Sequence, residues 1–101
     1  MAETIFQKII DKEIPADIIY EDEKSLVFKD INPVAPTHIL IIPKKQIEKI
    51  SDAEETDQDL LGHLLIVAGK VARQLGVENA FRLVVNNGAG AQQTVFHLHI
   101  H

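Results

Sequence analysis

The 101 residues contain no cysteine, which excludes a disulfide framework and a thiolate zinc site and fits a cytoplasmic setting. No apolar stretch reaches the ~20 residues a membrane span needs. The opening MAETIFQKIIDKE carries acidic residues where a signal peptide would be apolar, so a soluble protein without a membrane partner is expected. Positive charge is scarce: ten Lys and Arg face fifteen Asp and Glu, for a net charge of -5. Lys44-Lys45 is the only adjacent basic pair, and a nucleic-acid backbone is therefore not the expected ligand. With 46% hydrophobic residues, the length suits one domain over residues 1–101, whose core is small enough for a partner subunit to add burial.

What remains is patterned. Thr4-x-x-Gln7 and Ser51-x-x-Glu54 have the form of capping boxes and predict two helix starts. The first opens a short helix over IFQKIIDK. Ile18–Tyr20 and Leu26–Lys29 are β-rich runs separated by polar EDEKS, which predicts a hairpin. INPVAPT then forms a stiff loop, and His38–Ile42 a strand closed by Pro43. Leu60, Leu64, Val67, Val71 and Leu75 mark one stripe of a long helix ending before Gly76. Phe81–Val85 is the next expected strand, and NNGAGAQQ is a turn leading into a last strand, Phe96–His101. The order α-β-β-β-α-β-β predicts an α+β fold: an antiparallel sheet of about five strands with two helices on one side.

The last strand, FHLHIH, holds three of the five histidines. Strand periodicity sends Phe96, Leu98 and Ile100 to one face and His97, His99 and His101 to the other, with successive histidine Cα atoms roughly 6.5–7 Å apart. Three readings compete. The face could simply be exposed and rich in histidine. Two of the rings could share a zinc or iron ion, with Asp30 as the acid able to join them, although the sequence points to no acceptors behind the ligands. Or one neutral imidazole could attack phosphorus while its neighbours bind the anionic oxygens or donate protons. Clustering suits the third, because like charges resist simultaneous protonation and keep at least one ring neutral near neutral pH.

The stretch His97-Leu98-His99-Ile100-His101 resembles the alternating signature of the histidine triad superfamily. TIFQKIIDKEIPADIIYEDE, FKDINPVAPTHILIIPKK and FRLVVNNGAGAQQTVFHLHIH resemble, in order, segments of its Hint branch of purine nucleoside phosphoramidases. This resemblance implies a homodimer whose sheets join across the two-fold axis. It also implies a site for a purine nucleoside monophosphate or phosphoramidate, with neither metal nor cofactor. His99 matches the nucleophile that forms a nucleotidyl-histidine intermediate. His97 and His101 would orient it and contact the phosphate or the departing amine, and His38 matches the pocket's fourth histidine. Asn86 and Thr94 match polar contacts to phosphate or leaving group, and Asp30 the carboxylate that holds the ribose hydroxyls. Ile5, Phe6, Phe28, Ile31 and Leu40 would line the slot for the base, with Gln93 and Val95 also at the substrate. A purine nucleotide-binding module without significant turnover is the alternative function. His63, beside the apolar stripe of the long helix, matches no functional position and reads as structural. Hint relatives continue past the third histidine with a Gly-Gly-Arg-like turn and a tail ending near a tryptophan. In the family this tail reaches towards the partner subunit's site and bears on leaving-group specificity, and neither turn nor tail follows His101 in this sequence.

Overall fold

The computed structural model describes residues 3–101. Thr4 begins α1, Ile5–Ile10, by accepting the Gln7 N–H on its hydroxyl oxygen at 3.1 Å, which satisfies a helix donor that has no intrahelical partner. Thr4 makes its half of the box, and the Gln7 side-chain amide donates to Asp11 at 3.1 Å. Strands β1, Ile18–Glu21, β2, Ser25–Lys29, and β3, Ile39–Pro43, form one antiparallel sheet in that order. The expected hairpin and third strand are therefore present.

The second helix starts later than Ser51 suggests. Residues 50–57 wind as two short 3-10 turns, and α2 runs Gln58–Gln74. The cap lies at Glu54 and Asp57, where the Asp57 carboxylate accepts the Glu54 N–H at 2.9 Å while also pairing with Lys45. Asp57 thus ties the helix start to the end of β3, a tertiary contact that local spacing does not encode. At the other end, Gly76 takes a positive φ of 74°. Val77 N–H then closes on Ala72 O at 2.9 Å and Gly76 N–H on Arg73 O at 3.1 Å, a Schellman ending that glycine permits without strain.

The two helices lie on opposite faces of the sheet, not on one. Val27, Ile41, Leu98 and Ile100 pack against Leu64, Val67, Ala68 and Val71 of α2, whereas Leu26, Phe28, Leu40 and Ile42 pack against Phe6 and Ile9 of α1. The reason lies in β2 and β3, where LVF and ILII are apolar at consecutive positions. A strand apolar on both faces needs cover on both.

The regular sheet has three strands rather than about five. Ile100 and Ile41 exchange both backbone hydrogen bonds at 2.9 Å, and His101 and Val84 do the same at 2.7 and 2.9 Å. Segments 96–101 and 81–85 therefore lie in order beyond β3, each joined by a single rung. Two residues back from the Ile41–Ile100 rung, the partner of Leu98 would be Pro43, which has no N–H to give. Leu98 N–H turns instead to Ile47 O at 2.7 Å.

His63 is structural, as expected. Its Nε2–H donates to Asp22 Oδ2 at 2.7 Å, fastening α2 to the β1–β2 turn. Asp22 also accepts from Tyr20 OH, Lys24 N–H and both the N–H and hydroxyl of Ser25. Partial burial opposes ionisation of Asp22, but these donors outweigh it and hold the carboxyl well below its usual range. A folded-state pKa below the unfolded one adds stability at neutral pH that is lost as pH falls below about 4. Asp22→Asn should therefore lower stability by about 1–2 kcal/mol at pH 7. In urea titrations repeated from pH 7 downwards, its deficit against the parent should shrink below about pH 4.

Candidate active site

The histidine segment is held by its neighbours on both strand faces. Leu98 and Ile100 enter the α2-side core, which turns His97 and His99 toward α1, where both lie edge-on to the Phe6 ring. Phe96 starts the alternation but is left 45% exposed.

His97 has no exposed surface. Its Nε2–H donates to Pro43 O at 2.8 Å, and its Nδ1 has no partner among the described residues. Burial lowers the pKa of this ring, the neighbouring His99 adds to the fall, and the Pro43 carbonyl only partly opposes it. The ring is thus a neutral pin. Its position allows the orienting role expected of it, but a ring without exposed surface cannot touch a phosphate.

The orientation is delivered through the backbone. His99 is buried, and its Nδ1–H donates to the His97 carbonyl at 2.7 Å. The acceptor is a carbonyl, so the proton of neutral His99 must sit on Nδ1 and the lone pair on Nε2. Phe6 stands 5.0 Å from the His99 ring, perpendicular to it, and His101 lies 5.0 Å away on another side. One buried imidazole is thereby fixed in place with a free nitrogen.

His101 and His38 meet across 63 residues of sequence, with His38 Nε2 at 2.9 Å from His101 Nδ1. Burial again comes first in lowering the His101 pKa, helped by His99 and His38 and opposed by Asp30. Asp30 Oδ2 lies 3.4 Å from His38 Nε2, while its Oδ1 accepts the Asn32 N–H at 2.9 Å. On its far side, His38 Nδ1 accepts the Val34 N–H at 3.1 Å. Asp30, His38, Asn86 and His101 share a cavity of about 700 Å³, beside the end of α2. Arg82 and Gln92 also line it.

The remaining candidates separate. Phe6, Phe28 and Leu40 are buried in the α1-side core, with Val95 packed against it, whereas Ile5 and Ile31 are exposed, Ile31 at 87%. Thr94 is exposed at the turn before the triad. Gln93 is buried, and its amide is fully engaged. Nε2 donates to Glu48 O at 2.7 Å and Val95 O at 3.0 Å, and Oε1 accepts the Gly88 N–H at 2.7 Å. Gln93 therefore locks the 86–95 turn rather than offering a free group to a ligand. Sequence reading overlooked the carbonyls of Pro43 and His97 and the amide of Val34. They are backbone groups, present at almost every position, and only folding selects them.

Asp30, His38 and His101 each bring one ligand atom within 4.8 Å of the others, as three ligands of one ion would. The contact behind His38 argues against that use. An ion on His38 Nε2 needs its proton on Nδ1, with an acceptor behind it, and there the Val34 N–H already points inward.

The HIT domain family matches residues 11–101. A 14 kDa zinc-binding protein of Zea mays is 54% identical over 100 residues, covering 97% of this chain and 78% of its own length. Among solved structures, a HIT family hydrolase from Legionella pneumophila is 46% identical with a TM-score of 0.95, covering 98% of this chain and 89% of that one. A histidine triad nucleotide-binding protein from Candida albicans is 35% identical with a TM-score of 0.89, covering 98% and 72%.

Because His97 is held neutral with a lowered pKa, stability should fall as pH drops below the unfolded histidine value of about 6.5. His97→Gln can keep a donor to Pro43 O without a titrating ring. Urea midpoints measured between pH 7.5 and 5 should slope less steeply for the variant than for the parent.

Proposed function

The chain belongs to the HIT domain family, and on that footing we propose that it hydrolyses the P–N bond of purine nucleoside phosphoramidates, of the AMP–amine type. The carrying observation is the His99 Nδ1–H bond to the His97 carbonyl, which leaves Nε2 as the one nucleophilic nitrogen. In this reading, Nε2 attacks phosphorus and the P–N bond breaks as the amine leaves with a proton from His101. The nucleotidyl-histidine that forms is opened by water, releasing the nucleoside monophosphate and restoring the ring. Preorganisation is the main contribution, since His99 need not rotate or change tautomer to react.

Substrate contacts follow from the same arrangement. Asp30 spends one acceptor position on Asn32 N–H and keeps others, of the roughly four a carboxylate has, for vicinal ribose hydroxyls. Asn86 and Thr94 supply polar groups toward the phosphate. The exposed Ile5 and Ile31 flank the base, with Phe6, Phe28, Leu40 and Val95 as its backing and Gln93 as the support of the phosphate turn.

Zinc, suggested by the name of the maize relative, is not part of this reading, because His38 Nδ1 is turned toward an N–H. Nucleotide binding without turnover is the competing reading, favoured by the name of the Candida albicans protein. Turnover separates the two. With an adenosine phosphoramidate of a fluorescent amine, the parent should release amine. His99→Ala should lose roughly 10³-fold or more of kcat, on the scale of removing a nucleophile, while binding AMP within a few-fold. Retained turnover in His99→Ala would overturn the mechanism, and an inert parent that binds AMP would favour the competing reading.

A homodimer completes the proposal. Leu65 and Ile66 on the outer face of α2, with Phe81 and Leu83 on the outermost extended segment, are large exposed apolar side chains. A second copy of the chain is the partner that a self-complementary apolar face suits. Light scattering at micromolar concentration should give twice the 11.3 kDa chain mass; a monomer would count against it.

A further inference from the structure

The INPVAPT loop holds one more polar contact at the site. Its base is closed by Asp30 N–H on His38 O at 3.1 Å, and its first turn by Asp30 Oδ1 on Asn32 N–H. Pro33 and Pro36 fix two φ angles within it. Between them, Val34 leaves its side chain 87% exposed but turns its N–H inward onto His38 Nδ1. The side chain has little to pack against, while the amide is placed.

We infer that the backbone N–H of Val34 is a positioning group that sets the tautomers of both His38 and His101. An amide N–H can only donate, so His38 Nδ1 must carry a lone pair and its neutral ring must be protonated at Nε2. That Nε2–H, 2.9 Å from His101 Nδ1, makes the second nitrogen an acceptor as well. Neutral His101 therefore keeps its proton on Nε2. Resting on the hydrolase reading above, this is the proton given to the departing amine, so a loop amide with no contact to substrate determines which nitrogen of the acid is charged with it. Asp30 Oδ2, 3.4 Å from the same Nε2, favours a proton on that nitrogen of His38. Asp30 and His99 flank the pair, Asn86, Arg82 and Gln92 line the same cavity, and the donor seated on His38 Nδ1 is the Val34 N–H.

The test uses two substitutions at one exposed position. Val34→Ala keeps the N–H, and Val34→Pro removes it. In long-range proton–nitrogen spectra of the labelled full chain, the parent and Val34→Ala should both show His38 and His101 unprotonated at Nδ1 and protonated at Nε2. Val34→Pro should show His38 with mixed or reversed tautomers. A parent His38 protonated at Nδ1 overturns the inference, and so does a folded Val34→Pro with unchanged tautomers. Hydrogen exchange gives a second reading that does not depend on the proline variant folding: the Val34 amide should be protected in the parent and lose protection in His38→Phe, and equal protection in both overturns the assignment. In kinetics, Val34→Pro should slow alkylamine substrates, which need the acid, at least tenfold more than arylamine ones, within the roughly 10²–10⁴-fold that general acid catalysis supplies. Tautomers as described in a parent that turns over no phosphoramidate would remove the hydrolase reading and leave the Val34 assignment standing.

Discussion

Pro43 cannot donate a backbone hydrogen bond, and the geometry of the histidine segment follows from that. An unbroken ladder between β3 and residues 96–101 would have placed a rung at Pro43 and Leu98. Without an N–H there, the pairing stops after Ile41 and Ile100, and Leu98 N–H goes to Ile47 O instead. The Pro43 carbonyl is then left for a side chain, and His97 Nε2–H takes it at 2.8 Å. A neutral, wholly buried ring fills the break, and its own carbonyl faces the next histidine. The residue that limits the sheet thereby fixes the orientation of His99.

Burial on both faces of the sheet makes this arrangement rigid. Leu98 and Ile100 lie in the α2-side core, while Phe6 on α1 supports His97 and His99 from the opposite face. Rotating either histidine would disturb a packed core, where misfit costs typically 1–3 kcal/mol. The histidine segment is held by the same contacts that hold the domain together. Loss of a core side chain and loss of site geometry should therefore be hard to separate by mutation.

Hydrogen-bond direction is the second constraint. A carbonyl beneath His99, a carbonyl beside His97 and an amide beside His38 each accept or donate in one sense only. Imidazole alone can place its proton on either nitrogen, so these three fixed partners remove an ambiguity that the side chains cannot resolve among themselves. The same direction makes Asp30, His38 and His101 a poor metal triangle despite their proximity.

Strand and helix content was legible because it is local. Thr4 caps α1, the LVF and ILII runs form paired strands, and the stripe from Leu60 to Leu75 buries one side of α2. The alternation of FHLHIH separated its aliphatic from its imidazole residues, and that chemistry together with the flanking segments pointed to the family. The side on which each helix packs is set by LVF and ILII, runs apolar on both faces, which local periodicity does not distinguish from an ordinary buried strand. Phe81–Val85 and Phe96–His101 have strand composition, yet each is joined by a single rung, and for Phe96–His101 the next rung falls on Pro43, which has no N–H. Glu54 and Asp57 replaced Ser51 at the helix start because Asp57 answers Lys45, a contact set in three dimensions. Composition and periodicity thus determined which segments are helical or extended and which residues could do chemistry. Tertiary structure alone decided which nitrogen of each histidine is free, because that depends on the carbonyls of Pro43 and His97 and the amide of Val34, groups that every sequence contains and only a fold can aim.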